Sequence, residues 1–324
     1  MDSSEAEFTH LPTQRVRYLV FVIYLQISLA TGTTWSEWWG YEGISGSKFW
    51  GIIHPEWALC SKGKYQSPID IDPKLLLYDP NLRPLNFTRK RVSGVFVNTG
   101  QDLTLTFDLD DEDSGVFIDG PLTYRYRLNH LIFHFGSADD RGSEHVIAGT
   151  AFPLEIQFVA YNSDLFSSFK QAAVASFGVI VISLLGQTSA ANNNTYLDAL
   201  IKDAESISYK GDSKVVSDVY VDGLIPNTSQ YITYEGSLTT PGCHEVVTWI
   251  VLNKPVYVTP TQLASLRTVH KEGRGKDDRL MENNFRPVMP LNNRAIRTNI
   301  LPSESPECRR KRTFSYEVNE RFLT

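Results

Sequence analysis

The chain has 324 residues, and 31 Lys plus Arg against 37 Asp plus Glu leave a formal net charge of −6, which gives no electrostatic footprint for a nucleic-acid partner. With 42% hydrophobic and 21% charged residues it is too apolar for a disordered chain, and 21 Gly with 16 Pro exclude collagen and low-complexity linkers. Three cysteines are too few for a small disulfide scaffold, and the length suits one large domain or two ordinary ones.

In chain order, the first element is the apolar run Tyr18–Ala30. Arg15 and Arg17 stand before it, and Ala30-Thr31-Gly32 closes it with a small-x-small pattern. A basic flank, an apolar run and a small-residue exit are the parts of a secretory signal peptide. As a helix the run spans about 20 Å, short of a bilayer core of roughly 30 Å. Residues 1–30 therefore read as a signal peptide. The long polar start Met1–Gln14 leaves a retained signal anchor as the alternative. Residues 31–38 form a short N-terminal segment. The triplets Asn86-Phe87-Thr88, Asn193-Asn194-Thr195 and Asn227-Thr228-Ser229 are N-glycosylation sequons and agree with an oxidising, extracellular compartment.

Trp35, Trp38, Trp39, Tyr41, Phe49, Trp50 and Trp57 form an aromatic segment expected to pack over a core. Strands dominate the next 200 residues. Leu103, Leu105, Phe107 and Leu109 alternate with polar residues, the period of a half-buried strand. The continuous apolar run from Gly178 to Leu185 reads as a strand covered on both faces. Val246–Val258 holds two strand-like pieces hinged near Asn253-Lys254-Pro255. Helices are few. Thr259-Pro260-Thr261-Gln262 opens one, with Thr259 as N-cap, Pro260 in the first turn and Gln262 reaching back. With no internal repeat and no linker, residues 39–300 read as one α+β, strand-dominated domain around a large, twisted, mostly antiparallel sheet with a few surface helices. Residues 301–324 make a polar, basic tail carrying Cys308 and Arg309-Arg310-Lys311-Arg312.

Five separated segments carry the chemistry. They are Gln66-Ser67-Pro68-Ile69-Asp70-Ile71; Tyr126–Ser137 with Gly142-Ser143-Glu144-His145; Glu155-Ile156-Gln157-Phe158-Val159; Tyr234-Glu235-Gly236-Ser237-Leu238-Thr239-Thr240-Pro241; and Asn284-Phe285-Arg286-Pro287. In this order they resemble the α-type carbonic anhydrases over roughly residues 39–300. Active members of that family hold zinc on three His side chains, a His-x-His pair on one strand and a third His on its neighbour. Residues i and i+2 of a strand face the same way, about 6.6 Å apart, and so reach one ion. The zinc lowers the pKa of its bound water from 15.7 to about 7, for which carbonic anhydrase is the standard example.

Carried onto this sequence, the ligand positions are Ile132, His134 and Gln157. Ile offers no lone pair, and a neutral amide is a poor zinc donor beside imidazole. His130 lies about 13 Å along the strand from His134, too far to share an ion. His10, His54, His145, His244 and His270 fall outside the family's ligand positions. The proton-shuttle position is Gln101, which does not titrate near neutral pH. Thr239 and Glu144 stand at the hydroxide-orienting positions. Val159, Val181, Leu238 and Trp249 map to the apolar wall of the cleft. His145, Glu155 and Tyr234 form a candidate buried polar set.

The resemblance is nearest to the non-catalytic carbonic-anhydrase-related proteins, the secreted X/XI subgroup in particular. It implies no zinc, no catalysis, and an extracellular binding role with neurexin-type synaptic partners. It also implies a Cys60–Cys243 disulfide, which leaves Cys308 for an intermolecular bond, to a second copy or a partner, or as a reactive thiol. Arg309–Arg312 reads as a convertase site, a patch for acidic glycans, or a solvated charge run. The rival function is weak zinc-dependent carbonate dehydratase or esterase activity through rearranged ligands. A third is small-molecule binding in the old cleft.

Overall fold

The computed structural model describes residues 38–88, 91–109, 115–190 and 194–301. The signal segment, Asn193, Cys308 and Arg309–Arg312 lie outside them. From Trp39 onward the described residues belong to one unit.

In chain order the strands are β1 (Asp70–Ile71), β2 (Leu76–Tyr78), β3 (Asn86–Phe87), β4 (Arg91–Asn98), β5 (Leu103–Phe107), β6 (Phe117–Asp119), β7 (Tyr126–Phe135), β8 (Val146–Ile147), β9 (Leu154–Asn162), β10 (Val179–Thr188), β11 (Ser213–Tyr220), β12 (Tyr231–Gly236), β13 (Val247–Leu252), β14 (Val256–Val258) and β15 (Ile296–Thr298). Thirteen form one sheet whose main path runs β11-β4-β5-β7-β9-β10-β13-β12-β15-β2, with β3, β6 and β14 attached beside it. Its pairs are antiparallel except β10 with β13 and β14, and β15 with β2. The short β1 and β8 pair separately. This is the large, mostly antiparallel, strand-dominated architecture expected from the sequence.

Period-two alternation sorts the central strands into two faces. Leu131, Phe133 and Phe135 of β7, Leu154, Ile156 and Phe158 of β9, and Ile180, Ile182 and Leu184 of β10 pack into the larger core. Ile132 of β7, Val159 and Tyr161 of β9, and Val179, Val181 and Leu185 of β10 pack into a second core on the other side. His134, Glu155, Gln157 and Ser183 share that second face by parity and are fully or almost fully buried. The candidate site therefore sits on one face of the sheet's middle.

Leu103–Phe107 is a strand with alternating burial, as its pattern predicts, and Leu109 lies past its end. Gly178–Leu185 lies within or beside β10, which is buried along nearly its whole length. Val246–Val258 is indeed two strands, β13 and β14. The helix Pro260–Leu266 carries the complete capping box on Thr259 and Gln262. The longest helix among the described residues, Thr195–Glu205, has 11 residues and was not read from the sequence. Its signal was present: Asn194 caps the N–H groups of Tyr196 and Leu197, and Leu197, Leu200, Ile201 and Ala204 repeat on one side. Of the aromatic segment, Trp50 and Trp57 are buried and Trp39 and Tyr41 pack against them, but Trp38 and Phe49 keep much of their surface exposed.

Candidate functional site

Gly136 and Gly142 fix where the site's loop runs. Gly142 adopts φ +144°, and a Cβ there would collide with the carbonyl of Pro153. Only glycine permits that approach, and it lays Ser143-Glu144-His145 against the start of β9. Glu144 and His145 are thereby brought beside Glu155 and Gln157.

β7 and β9 pair with Ile132 opposite Gln157 and His134 opposite Glu155. The three positions that the resemblance gives as ligand positions are therefore adjacent. His134 is fully buried, and its Nδ1–H donates to the Asn284 carbonyl at 2.7 Å. Its Nε2 is buried with no hydrogen-bond partner. Burial pulls the imidazole pKa down, but the Glu144 carboxylate and the Asn284 carbonyl, with Glu155 and Asp102 beyond, leave it raised above its usual value. Glu144 Oε1 lies 3.9 Å from His134 Nδ1.

Gln157 is held by two buried carboxylates. Its amide nitrogen donates to Glu144 Oε2 at 2.7 Å and to Glu155 Oε1 at 3.1 Å. Carboxylates only accept, so both bonds require the NH₂ end of the amide to face them. Ile132 joins Val159, Val181 and Trp249 in the second core, and Leu238 packs half-buried against them. The residues that the resemblance gives as a cleft wall thus share one apolar cluster with Ile132. These side chains do not fit the zinc that the family's fold implies: one imidazole, one alkane with no donor atom, and one neutral amide whose oxygen is a poor zinc donor beside imidazole. Among the described residues no group of three or more His, Cys, Asp or Glu side chains is arranged to hold a metal.

The candidate polar set does come together. His145 Nδ1 meets Glu155 Oε1 at 2.9 Å, its backbone N–H donates to Glu155 Oε2 at 2.8 Å, and its Nε2 meets the Tyr234 hydroxyl at 2.7 Å. Ser183 donates to Glu155 Oε1 at 2.8 Å. Burial alone would raise the Glu155 pKa, but the adjoining His145 overrides it and holds the carboxyl at about 2. Tyr234 donates in turn to Ser67 Oγ at 3.0 Å. Glu144 Oε1 accepts the backbone N–H of Arg286 at 3.0 Å.

Thr239 is buried, and Gln101 Nε2 reaches the Trp39 carbonyl at 3.4 Å. Cys60 and Cys243 form a disulfide, with a Cα–Cα distance of 5.0 Å. Asn86 and Asn227 are exposed.

Four contributors were not singled out from the sequence. Arg286 is buried; it donates to Gln66 Oε1, the Ser67 carbonyl and the Cys60 carbonyl at 2.8–3.0 Å, and burial lowers its pKa to about 10. Asn284 anchors His134 and the backbone of β7 through Phe133 and Phe135. Tyr41 sets its ring edge-on to His134, centroids 6.3 Å apart, with its buried hydroxyl unpartnered. Asp102 accepts from Thr99 and Thr104 at 2.9 and 2.7 Å. Asn284 and Arg286 lie in one of the five motif segments, but contacts of this range have no signature in local spacing.

The sheet, the loop glycines and this buried face define a carbonic-anhydrase-type domain. The sequence profile of the eukaryotic-type carbonic anhydrase family matches residues 45–300, and the chain belongs to that family. It is similar to two Caenorhabditis elegans proteins. One, carbonic anhydrase-like protein 2, is 41% identical over 268 residues, covering 80% of this chain and 78% of that protein. The other, carbonic anhydrase-like protein 1, is 33% identical over 328 residues, covering 81% of this chain and 90% of that protein.

Proposed function

We propose that this is a carbonic-anhydrase-related protein of the secreted X/XI type: a domain without zinc or hydratase activity, used outside the cell as a binding ligand. One observation carries the reading. At the third ligand position the Gln157 amide donates to Glu144 and Glu155, opposite an Ile132 that has no donor atom. A single imidazole at His134 does not hold a water at a pKa near 7. The Cys60–Cys243 disulfide and the exposed Asn86 and Asn227 sequons support an extracellular, glycosylated form. The partner implied by the resemblance is a neurexin-type cell-surface protein, with Cys308 as the residue for a covalent link to it or to a second copy.

The test is metal analysis of protein secreted into medium and purified without chelator, with carbon dioxide hydration assayed on the same sample. Zinc well below one per chain and no hydration are expected. Near-stoichiometric zinc together with hydration would sink the reading. Binding to neurexin ectodomains, compared for wild type and Cys308→Ser on non-reducing gels, tests the partner. Intact mass of the secreted chain tells whether the leader and Arg309–Arg312 are processed.

A further inference from the structure

The buried face carries two carboxylates linked through one side chain. Glu144 and Glu155 are both fully buried. Buried charges are costly unless paired and hydrogen-bonded. Glu155 is answered by His145 and Ser183. Glu144 has the backbone N–H of Arg286, and an imidazole at 3.9 Å that bonds elsewhere. Among the described residues, the side chain hydrogen-bonded to both is Gln157.

We infer that Gln157 is a bridging residue that holds the two buried carboxylates together through hydrogen bonds. Its two N–H bonds link two halves of one buried network, which meet again where the Arg286 guanidinium donates to the Ser67 carbonyl. One half runs from the Arg286 backbone to Glu144. The other runs from Glu155 through His145 and Tyr234 to Ser67, which meets Ser237 on both sides. The amide is suited to this because it supplies two donors and no charge. An imidazole has a single N–H to give when neutral, and an alkane has none. The substitution at the third ligand position is thus a replacement with a function, and it makes the fold independent of metal. The partner-binding role then falls to surfaces outside the cleft floor, which serves as framework.

This inference rests on the metal-free reading, and the two fail separately. The experiment follows the thermal midpoint of the full secreted chain, with and without EDTA. The variants are Gln157→Leu, Glu144→Gln and the two combined. Gln157→Leu keeps the bulk but removes both donors, and should lower the midpoint by roughly 5–10 °C. In the Glu144→Gln background, where the unanswered charge is gone, the same change should cost less than half as much. If Gln157→Leu is not secreted, recovery of secretion by Glu144→Gln supports the bridge equally. The bridge is overturned if Gln157→Leu melts like wild type, or if its cost is the same in both backgrounds, as a packing role alone would give. A wild-type midpoint that drops in EDTA would instead overturn the metal-free reading.

Discussion

Ile132 and Gln157 are direct partners across the antiparallel β7–β9 pair, with His134 two residues from Ile132 on the same face. Directly opposed residues have Cβ atoms about 5 Å apart, and i, i+2 neighbours stand about 6.6 Å apart. The backbone therefore still holds three positions that converge. Ile132→His combined with Gln157→His should restore zinc uptake toward one per chain. Each single change should give much less. Zinc titration followed by calorimetry checks this, and equal uptake by a single variant would show that the ligand positions are misplaced.

The Cys60–Cys243 disulfide joins residues 183 apart in sequence. Closing so long a loop removes denatured-state entropy worth up to about 5 kcal/mol on the chain-entropy model. Cys243→Ser or reduction should lower unfolding stability toward that bound. Cys308→Ser should leave it unchanged. Urea unfolding of the three proteins makes the comparison.

His130, two residues before Ile132 on β7, offers a pH test. Burial against Phe169 lowers its imidazole pKa from 6.5 to about 4. The unfolded chain gains a proton as pH falls below 6.5, whereas the folded chain resists until about pH 4. Its contribution is therefore present above pH 6.5 and is lost as pH falls from there toward 4, by at most about 3 kcal/mol. His130→Phe should flatten that part of the stability–pH profile. An unchanged slope would contradict the assignment.

Thr259 accepts the Gln262 N–H at 3.2 Å, while Gln262 Oε1 accepts the Thr259 N–H at 2.7 Å. Thr259→Ala removes one half of this reciprocal cap and should cost about 1 kcal/mol. A shift in urea midpoint with an unchanged slope is the expected signature.

Much of the fold was legible because it is written in local patterns. The alternation of Leu103–Phe107, the apolar run into β10 and the Thr259 cap each depend on neighbours in sequence. Ile132 and Gln157 drew notice for a different reason: the resemblance sets them against a motif whose spacing is fixed by a strand. What Gln157 does instead was not legible. Its acceptors come from a loop and from its own strand, and only the fold sets Glu144 within reach. The roles of Arg286, Asn284 and Tyr41 were hidden for the same reason. The helix Thr195–Glu205 was missed despite its Asn194 cap and its repeating Leu197, Leu200 and Ile201, because the surrounding strands drew the reading toward sheet.

β15 enters the sheet between β12 and β2, although it is the last strand of the described chain. A nascent polypeptide still threaded through the ribosome short of Ile296 has no seat for Leu76–Tyr78. It presents Ile232 and Thr233 along a bare rim. The sheet therefore closes only once the chain has been made through Thr298, and truncations ending ahead of Thr298 should yield insoluble product instead of a smaller working domain.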